Sequence, residues 1–464
     1  MPLAMLQLPL VISAVLGLAL AIPSSACPES SPSVEPATQQ HRAPNRGRAQ
    51  NQGRASMIVC TPTTIKIGAD SARIAKNPIA EAITAAAPGC KIMLQSGRYP
   101  GFTLGFGGSS SRSARSSGGL PGQPITIVGS GDVWIRADKS YGDTISINQE
   151  VKNGHFTFQN LKIEPGYRAA VLFFKQNAGK THDGFKFLDC HILGKWNHTT
   201  EQGVRSKWGI WGHSMRDFEF RGVRAPARVE NIQQEHGFYI QNAQGPILIE
   251  NVRAKRLGRT FCQFTARAKD GPPGIGSITV RNCDVQDIGL FKDDNHKGGS
   301  AFTFAGRLTG EILVENNRYR AGFDAQLARL TRPGVPYGTG ALVCWGGGEK
   351  VKNRKVTIKG NDFEFAKGCG DRPVVSIGGC GQVDVVGKNR FVAGGKEAAL
   401  ALDPLKGGRG SPPVSPPNDH VNLSPETEVV GLTEFRGRRV DPEQLQQHLA
   451  GPEEAPRRQE QRRR

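Results

Sequence analysis

The chain has no apolar run long enough to cross a bilayer, no Cys-x-x-Cys pair and almost no helical periodicity, and each gap closes off a class of protein. Its longest early apolar stretch, residues 8–22, falls short of the roughly 20 residues that a spanning helix needs, so no transmembrane segment is expected. Nine cysteines are present, but no spacing among them matches a zinc site, which argues against metal binding through thiolates. Aromatic residues make up only 7%, whereas glycine occurs 58 times, a balance that suits a chain that turns often.

What the chain does have is a repeated phrase: apolar, any, apolar, any, small polar residue. The clearest copies are 156–160 (FTFQN), 247–251 (ILIEN), 278–282 (ITVRN) and 312–316 (ILVEN), with looser ones starting at Phe185, Phe218, Val356 and Val383. Successive starts lie 29, 33, 29, 31, 34, 44 and 27 residues apart, too far for hairpins and right for one turn of a solenoid. Alternation of period two makes each phrase a half-buried strand, and Asn, Asp or Gly closes it because these residues tolerate a left-handed backbone at a corner. A second set of short apolar runs lies between the phrases, at 170–174, 208–211, 237–240, 260–264, 301–304, 341–344 and 374–377. Two strands per repeat predict an all-β, single-stranded parallel β-helix over residues 58–403, with roughly eleven or twelve coils of about 30 residues.

Net charge is +19. Four arginines against two glutamates precede residue 58, and eight arginines against five acids follow residue 434, which leaves about +14 on the body itself. A basic body attracts polyanions. No nucleic-acid-binding motif accompanies the charge, which leaves an acidic polysaccharide or an anionic surface as the partner of an expected monomer.

Residues 1–26 read as an export signal: an apolar stretch, then Ser24, Ser25 and Ala26 as small residues at a cleavage site, although no Lys or Arg precedes the stretch. The expected location is therefore extracellular or periplasmic. Cys27 is a weaker candidate for lipidation, because Ser24 stands where leucine would be wanted. Residues 27–57, rich in Pro, Ser, Gln, Asn and Arg, read as a disordered linker, and residues 404–464 as a disordered, basic and Pro-rich tail. Eight cysteines remain after Cys27, an even number that permits disulfides in an exported protein; Cys60–Cys90 and Cys369–Cys380 are the expected pairs.

One helix is predicted: Asn77 as N-cap, Pro78 at the first helical position, residues 79–87 as body and Pro88-Gly89 as the stop. The run from Ala82 to Tyr99, with its Pro-Gly turn and closing Gly97-Arg98-Tyr99, resembles the opening of the right-handed parallel β-helix (pectate-lyase-like) superfamily, as does residues 118–129 (GGLPGQPITIVG) for its second coil. The resemblance implies a right-handed helix whose short N-terminal helix caps the first coil, covering a sheet end that would otherwise offer unpaired edges. The sequence lacks the Arg-x-Pro-x-x-Arg of pectate lyases, the ordered motifs of polygalacturonases and the Asp-Pro-His of mannuronan epimerases, so it fits none of those families by motif.

A solenoid stacks equivalent positions ~4.8 Å apart, so sites are assembled from the same position of successive coils. Aligning the second strand set puts Trp208, His236, Arg259 and Ser300 on one rung line, Lys207, Glu235 and Gly299 one position earlier, and Lys297 in the loop nearby. Glu235-His236-Gly237, followed by an apolar strand, also looks like the superfamily. In it His236 would act as general base or acid and Tyr239 as proton donor, the plainer alternative being a stacked corner histidine and a packed tyrosine. Asp293 and Asp294 would hold a hard cation such as calcium or act as a carboxylate pair, unless they form an ordinary solvated turn. Arg256 and Arg259 belong to a basic cluster able to clamp a carboxylate, or simply face solvent. Trp208, Trp211 and His213 would offer a sugar-stacking platform if they are not core.

The resulting expectation is β-elimination on an acidic polysaccharide. Arg256 and Arg259 would neutralise the uronate, Lys297 or His236 would take the proton, Tyr239 would donate one, and Lys207 and Trp211 would help to bind. The rivals are a hydrolase that uses Asp293 or Asp294 with Glu235, and a non-catalytic binding or cell-surface protein.

Overall fold

Each copy of the apolar phrase is a strand, and the strands stack in parallel. Phe156–Gln159, Lys186–Leu188, Phe218–Arg221, Ile247–Glu250, Ile278–Arg281, Glu311–Glu315, Asn353–Lys359 and Cys380–Val386 pair in that order. The computed structural model describes residues 57–60, 77–105, 112–137, 142–149, 151–177, 179–195, 208–232, 235–266, 274–290, 299–324, 340–345, 353–370, 372–395, 397–403, 418–441, 444–445 and 449. Seven of the eight closing residues are left-handed as expected, with φ 53° at Asn160 and Asp189, 52° at Asn251, 55° at Asn282, 53° at Asn316, 63° at Gly360 and 69° at Gly387; Gly222, which closes the phrase from Phe218, is not.

The corner residue does not end the strand region. It swings the chain into a further strand, such as His191–Leu193, Ala227–Ile232, Val252–Leu257 or Arg318–Ala321, which pairs with its counterparts above and below. Each coil thus carries three strands where the sequence showed two, because the second follows the first after a single left-handed residue and the two merge into one apolar stretch. The third strand of each coil is the other predicted set. Asp143–Ile147, Ala169–Phe173, Trp208–His213, Phe238–Gln241, Cys262–Thr265, Phe302–Ala305, Leu342–Trp345 and Val375–Gly378 pair successively in parallel. The architecture is the parallel β-helix, right-handed as crossovers between parallel strands almost always are.

Inward side chains form ladders along the axis. Phe158 stacks on Phe187 at 4.8 Å between ring centroids, Phe156 on Phe185 at 5.7 Å, and Phe173 meets Phe185 edge-on at 5.0 Å. Such pairs add about 0.5–1.5 kcal/mol each beyond the area they bury. At one inner corner Asn317, Asn361 and Asn389 form a buried polar ladder. The Asn361 Oδ1 accepts from the Asn317 backbone N–H at 2.9 Å, and the Asn389 Oδ1 accepts from that of Asn361 at 2.9 Å. Their amide groups donate onward, Asn317 to Val280 O and Asn361 to Val314 O, both at 2.9 Å, so backbone groups at the corner are satisfied from coil to coil.

The capping helix spans Pro78–Ala85. The Asn77 side chain accepts from Ile79 N and Ala80 N, and Ile79, Ala80, Ala82 and Ile83 are buried against the first coil. The helix stops short of the predicted residue 87, with Ala86 as an extended C-cap. Among the described residues no helix is long and apolar enough to cross a membrane.

The ladder also runs past Asp403, which corrects the expectation that residues 404–464 are wholly disordered. His420–Leu423 and Glu428–Val430 extend the first two sheets and Leu432–Phe435 the third. The antiparallel strand Arg438–Val440 then folds over that last edge. Short strands with partly polar faces hid this coil from the hydrophobic pattern.

The expected disulfides are not formed. Cys90 is a buried free thiol and Cys369 a half-buried one. The left-handed turn at Gly379 carries Cys380 into the core, where its sulfur lies 3.8 Å from that of Cys344, on the neighbouring sheet, rather than beside Cys369. Burial pushes the thiols of Cys190 and Cys283 up to about 12, as befits packing groups. The side chain of Cys60, the export signal, Cys27 and the linker up to residue 56 lie outside the described residues.

Candidate functional site

The site sits where the third-sheet strands begin. Gly209 and Gly237 let the coils close there: a Cβ at Gly209 would stand 2.4 Å from the Gly237 carbonyl oxygen, and one at Gly237 2.8 Å from that of Phe261. This explains Trp208-Gly209 and His236-Gly237, where a large side chain precedes a glycine that must approach its neighbour closely. Register places Ile210, Phe238, Cys262 and Phe302 inward on one line, which leaves Trp211, Tyr239, Gln263 and Thr303 adjacent on the outer face.

His236 is the centre of a connected group. Its ring stacks on Tyr239 with centroids 5.0 Å apart at 24°, its Nε2 lies 2.6 Å from Gln263 Oε1, and its Nδ1 lies 3.1 Å from Glu235 Oε2. The Arg259 Nη1 stands 3.5 Å from the same carboxylate oxygen. The Gln241 Nε2 donates to Tyr239 Oη at 2.5 Å. Glu235, His236 and Tyr239 are 8%, 3% and 8% exposed. Burial lowers the pKa of His236, with Glu235 opposing and Arg259 reinforcing the shift, so the imidazole is neutral at pH 7. The nearby carboxylate favours the tautomer protonated at Nδ1. With Gln263 Oε1 facing it, however, Nε2 carries a proton and donates; only when the Gln263 amide turns its nitrogen to the ring does Nε2 hold the lone pair, with the proton on Nδ1.

One coil towards the N-terminus, the rings of Trp208 and Trp211 lie 4.4 Å apart and Trp211 lies 5.8 Å from His213. Both tryptophans are half-buried. Beside them the Arg168 guanidinium makes a two-pronged ion pair with the buried Asp143, Nε to Oδ1 at 2.9 Å and Nη2 to Oδ2 at 2.5 Å. It lies 5.9 Å from the centre of the Trp211 ring.

Glu235, His236, Tyr239 and Arg259 are therefore brought together, with Trp211 beside them. The rung line is corrected at one member: the Gly237 N–H donates to Thr260 O, and the Arg259 N–H to Glu235 O, so Thr260 stands beside His236 and Arg259 beside Glu235. Arg256 is not part of the group. With a left-handed backbone at φ 58°, it reaches Asp324 at 3.1 Å, a carboxylate it shares with Lys255. Lys207, Asp293, Asp294 and Lys297 lie outside the described residues, and among those described no cluster of three or more His, Cys, Asp or Glu gathers as a metal site. Sequence reasoning missed Gln263, Gln241, Arg168 and Asp143. Exact alignment of Phe238 with Cys262 would have found Gln263, since it puts that residue level with Tyr239.

No family model matches the chain, and no curated protein is similar to it. Among solved structures it is similar to an alginate lyase from Paenibacillus sp. str. FPU-7, at 15% identity over 79% of this chain and 99% of that one, with a TM-score of 0.43. It is also similar to pectate lyase Pel9A, at 11% identity over 72% and 79% with a TM-score of 0.37. The A-module of an Azotobacter vinelandii mannuronan C-5 epimerase matches at 11% identity over 79% and 92%, with a TM-score of 0.32.

Proposed function

We propose that this chain is an exported β-helix protein that binds an acidic polysaccharide along the outer face of its third sheet and cleaves it by β-elimination. The observation that carries the reading is the Arg259–Glu235–His236–Gln263 chain with Tyr239 stacked beneath it. In this reading Gln263 gives way to the substrate. The freed Nε2 of His236 then takes the proton from the carbon beside the uronate carboxylate, and the electron pair of that C–H bond forms a carbon–carbon double bond. The glycosidic C–O bond breaks, and its oxygen takes the phenolic proton of Tyr239. Glu235 balances the imidazolium, while the remaining N–H groups of Arg259 offset the charge of the uronate, whose acidity the elimination requires.

Purified protein is incubated with alginate, polygalacturonate and glycosaminoglycans while the ultraviolet absorbance of the unsaturated uronate is followed. Growth of that absorbance, lost in His236→Ala, supports the reading. New reducing ends without the chromophore replace it with hydrolysis. The deep burial of His236 favours one second reading, a binder that performs no chemistry. Retained glycan binding in His236→Ala, with no turnover in either protein, would establish that one.

A further inference from the structure

Arg168 and Trp211 occupy a position that the reaction as written does not use. Trp211 pairs in register with Tyr239, so the aromatic pair lies one coil, ~4.8 Å, from the proposed reacting group, close to the length of one pyranose residue. Arg168 immediately precedes Ala169, the register partner of Trp208, and so stands on the same starting edge of the sheet as Glu235 and His236. Asp143 engages Nε and Nη2 of its guanidinium and fixes its plane. Nη1 is not part of that fork, and the side chain is 40% exposed. An anchored cation beside a half-buried indole pair matches a sugar that carries a carboxylate: the ring faces stack, and the guanidinium meets the acid group.

We infer that Trp208, Trp211 and Arg168 form a uronate-binding subsite next to the His236 group, so that the polysaccharide runs parallel to the helix axis with one sugar per coil. The inference rests on the acidic-polysaccharide reading. It adds the direction of the chain and the residues that hold the neighbouring sugar. Strand register supports the direction, since Trp211, Tyr239, Gln263 and Thr303 follow one another along the axis rather than around a coil.

The test uses the full chain and oligomannuronate, oligoguluronate and oligogalacturonate of defined length, with cello-oligosaccharide as the neutral control. Binding is followed by calorimetry and tryptophan fluorescence. An acidic oligomer should bind the wild type, and Trp211→Ala and Arg168→Lys should each weaken it by about tenfold, equivalent to ~1.4 kcal/mol, with KM moving more than kcat. Trp211→Phe should restore most of the affinity, and Trp134→Ala, on another face, should leave it unchanged. Near-ultraviolet circular dichroism checks folding, and if Trp211→Ala does not fold, Trp211→Phe and Arg168→Lys decide. Wild-type affinity in both Trp211→Ala and Arg168→Lys, with binding and turnover intact, would overturn the subsite and leave the proposed function standing. Equal binding of the neutral oligomer would overturn the carboxylate contact. A wild type that binds no acidic oligomer would overturn both.

Discussion

His182 makes the acid stability of the fold predictable. It is 1% exposed, with its ring edge-on to Phe173 at 5.3 Å. Nε2 lies 2.7 Å from the Phe174 carbonyl oxygen, so its N–H donates there, and Nδ1 can accept from Gln176 Nε2 at 3.1 Å. Burial lowers its pKa from 6.5 to about 4, with the Phe174 carbonyl opposing. The unfolded chain therefore binds more protons than the folded one between these values. The contribution of His182 to stability is complete above 6.5 and is lost as the pH falls to about 4. At 1.36 kcal/mol per pH unit the loss is roughly 3 kcal/mol. Urea unfolding of wild type and His182→Gln, followed by near-ultraviolet circular dichroism from neutral pH to pH 4, isolates this share, because His191, His236 and the carboxylates are common to both proteins and cancel. Any stability advantage of the wild type should shrink by about 3 kcal/mol over that interval. A difference that stays constant with pH would refute the argument, since it would mean that His182 is protonated in the folded state as readily as in the unfolded one.

Asn361→Ala should cost ~2–5 kcal/mol, because it strands the Asn317 N–H and the Val314 carbonyl inside the corner, and chemical denaturation checks it. Asn77→Ala removes the acceptor of two helix N–H groups and should lower stability by about 1 kcal/mol, measurable in the same way. Glu235→Gln removes the group that holds up the pKa of His236, which burial already depresses, so the acid limb of any pH–rate profile should move to lower pH while the maximal rate falls. An unchanged acid limb would separate Glu235 from the titrating group.

The fold was legible because solenoid physics writes itself into sequence twice, as alternation within a strand and as a left-handed closing residue; Asn251, Asn282 and Asn316 show both signals together. The strand after the corner was not legible, since one left-handed residue does not break an apolar pattern as a loop does. The last coil escaped for a different reason. Half-exposed strands such as His420–Leu423 alternate weakly, and their pairing with Cys380–Val386 comes from backbone register rather than from buried side chains. At the site, Glu235, His236 and Tyr239 were visible as chemistry within one short stretch. Gln263 and Arg168 were not, because their place depends on register between coils, where an error of one residue exchanges Arg259 for Thr260.

Register also decides where the positive charge is available. On the outer face of the first two sheets, cations and acids alternate across many of the coils, with Arg228 beside Arg253 as an exception. Lys186 pairs with Glu219, Arg221 and Arg281 both reach Glu250, and Arg320 and Arg390 share Asp362 and Glu364. Like charges stacked at the coil spacing would repel, so alternation favours the many ion pairs on that face, where these cations are matched by acids. The third sheet differs. The outer line through Leu172, Trp211, Tyr239, Gln263, Thr303, Val343 and Ser376 carries no charge at all. At its starting edge Arg168 and Arg259 are each tied to one buried carboxylate and remain partly exposed. An anionic chain approaching the molecule finds compensated charge on one side. On the other it finds a neutral aromatic and amide surface flanked by two guanidinium groups, which is why the proposed acidic ligand is placed on the third sheet rather than the first two.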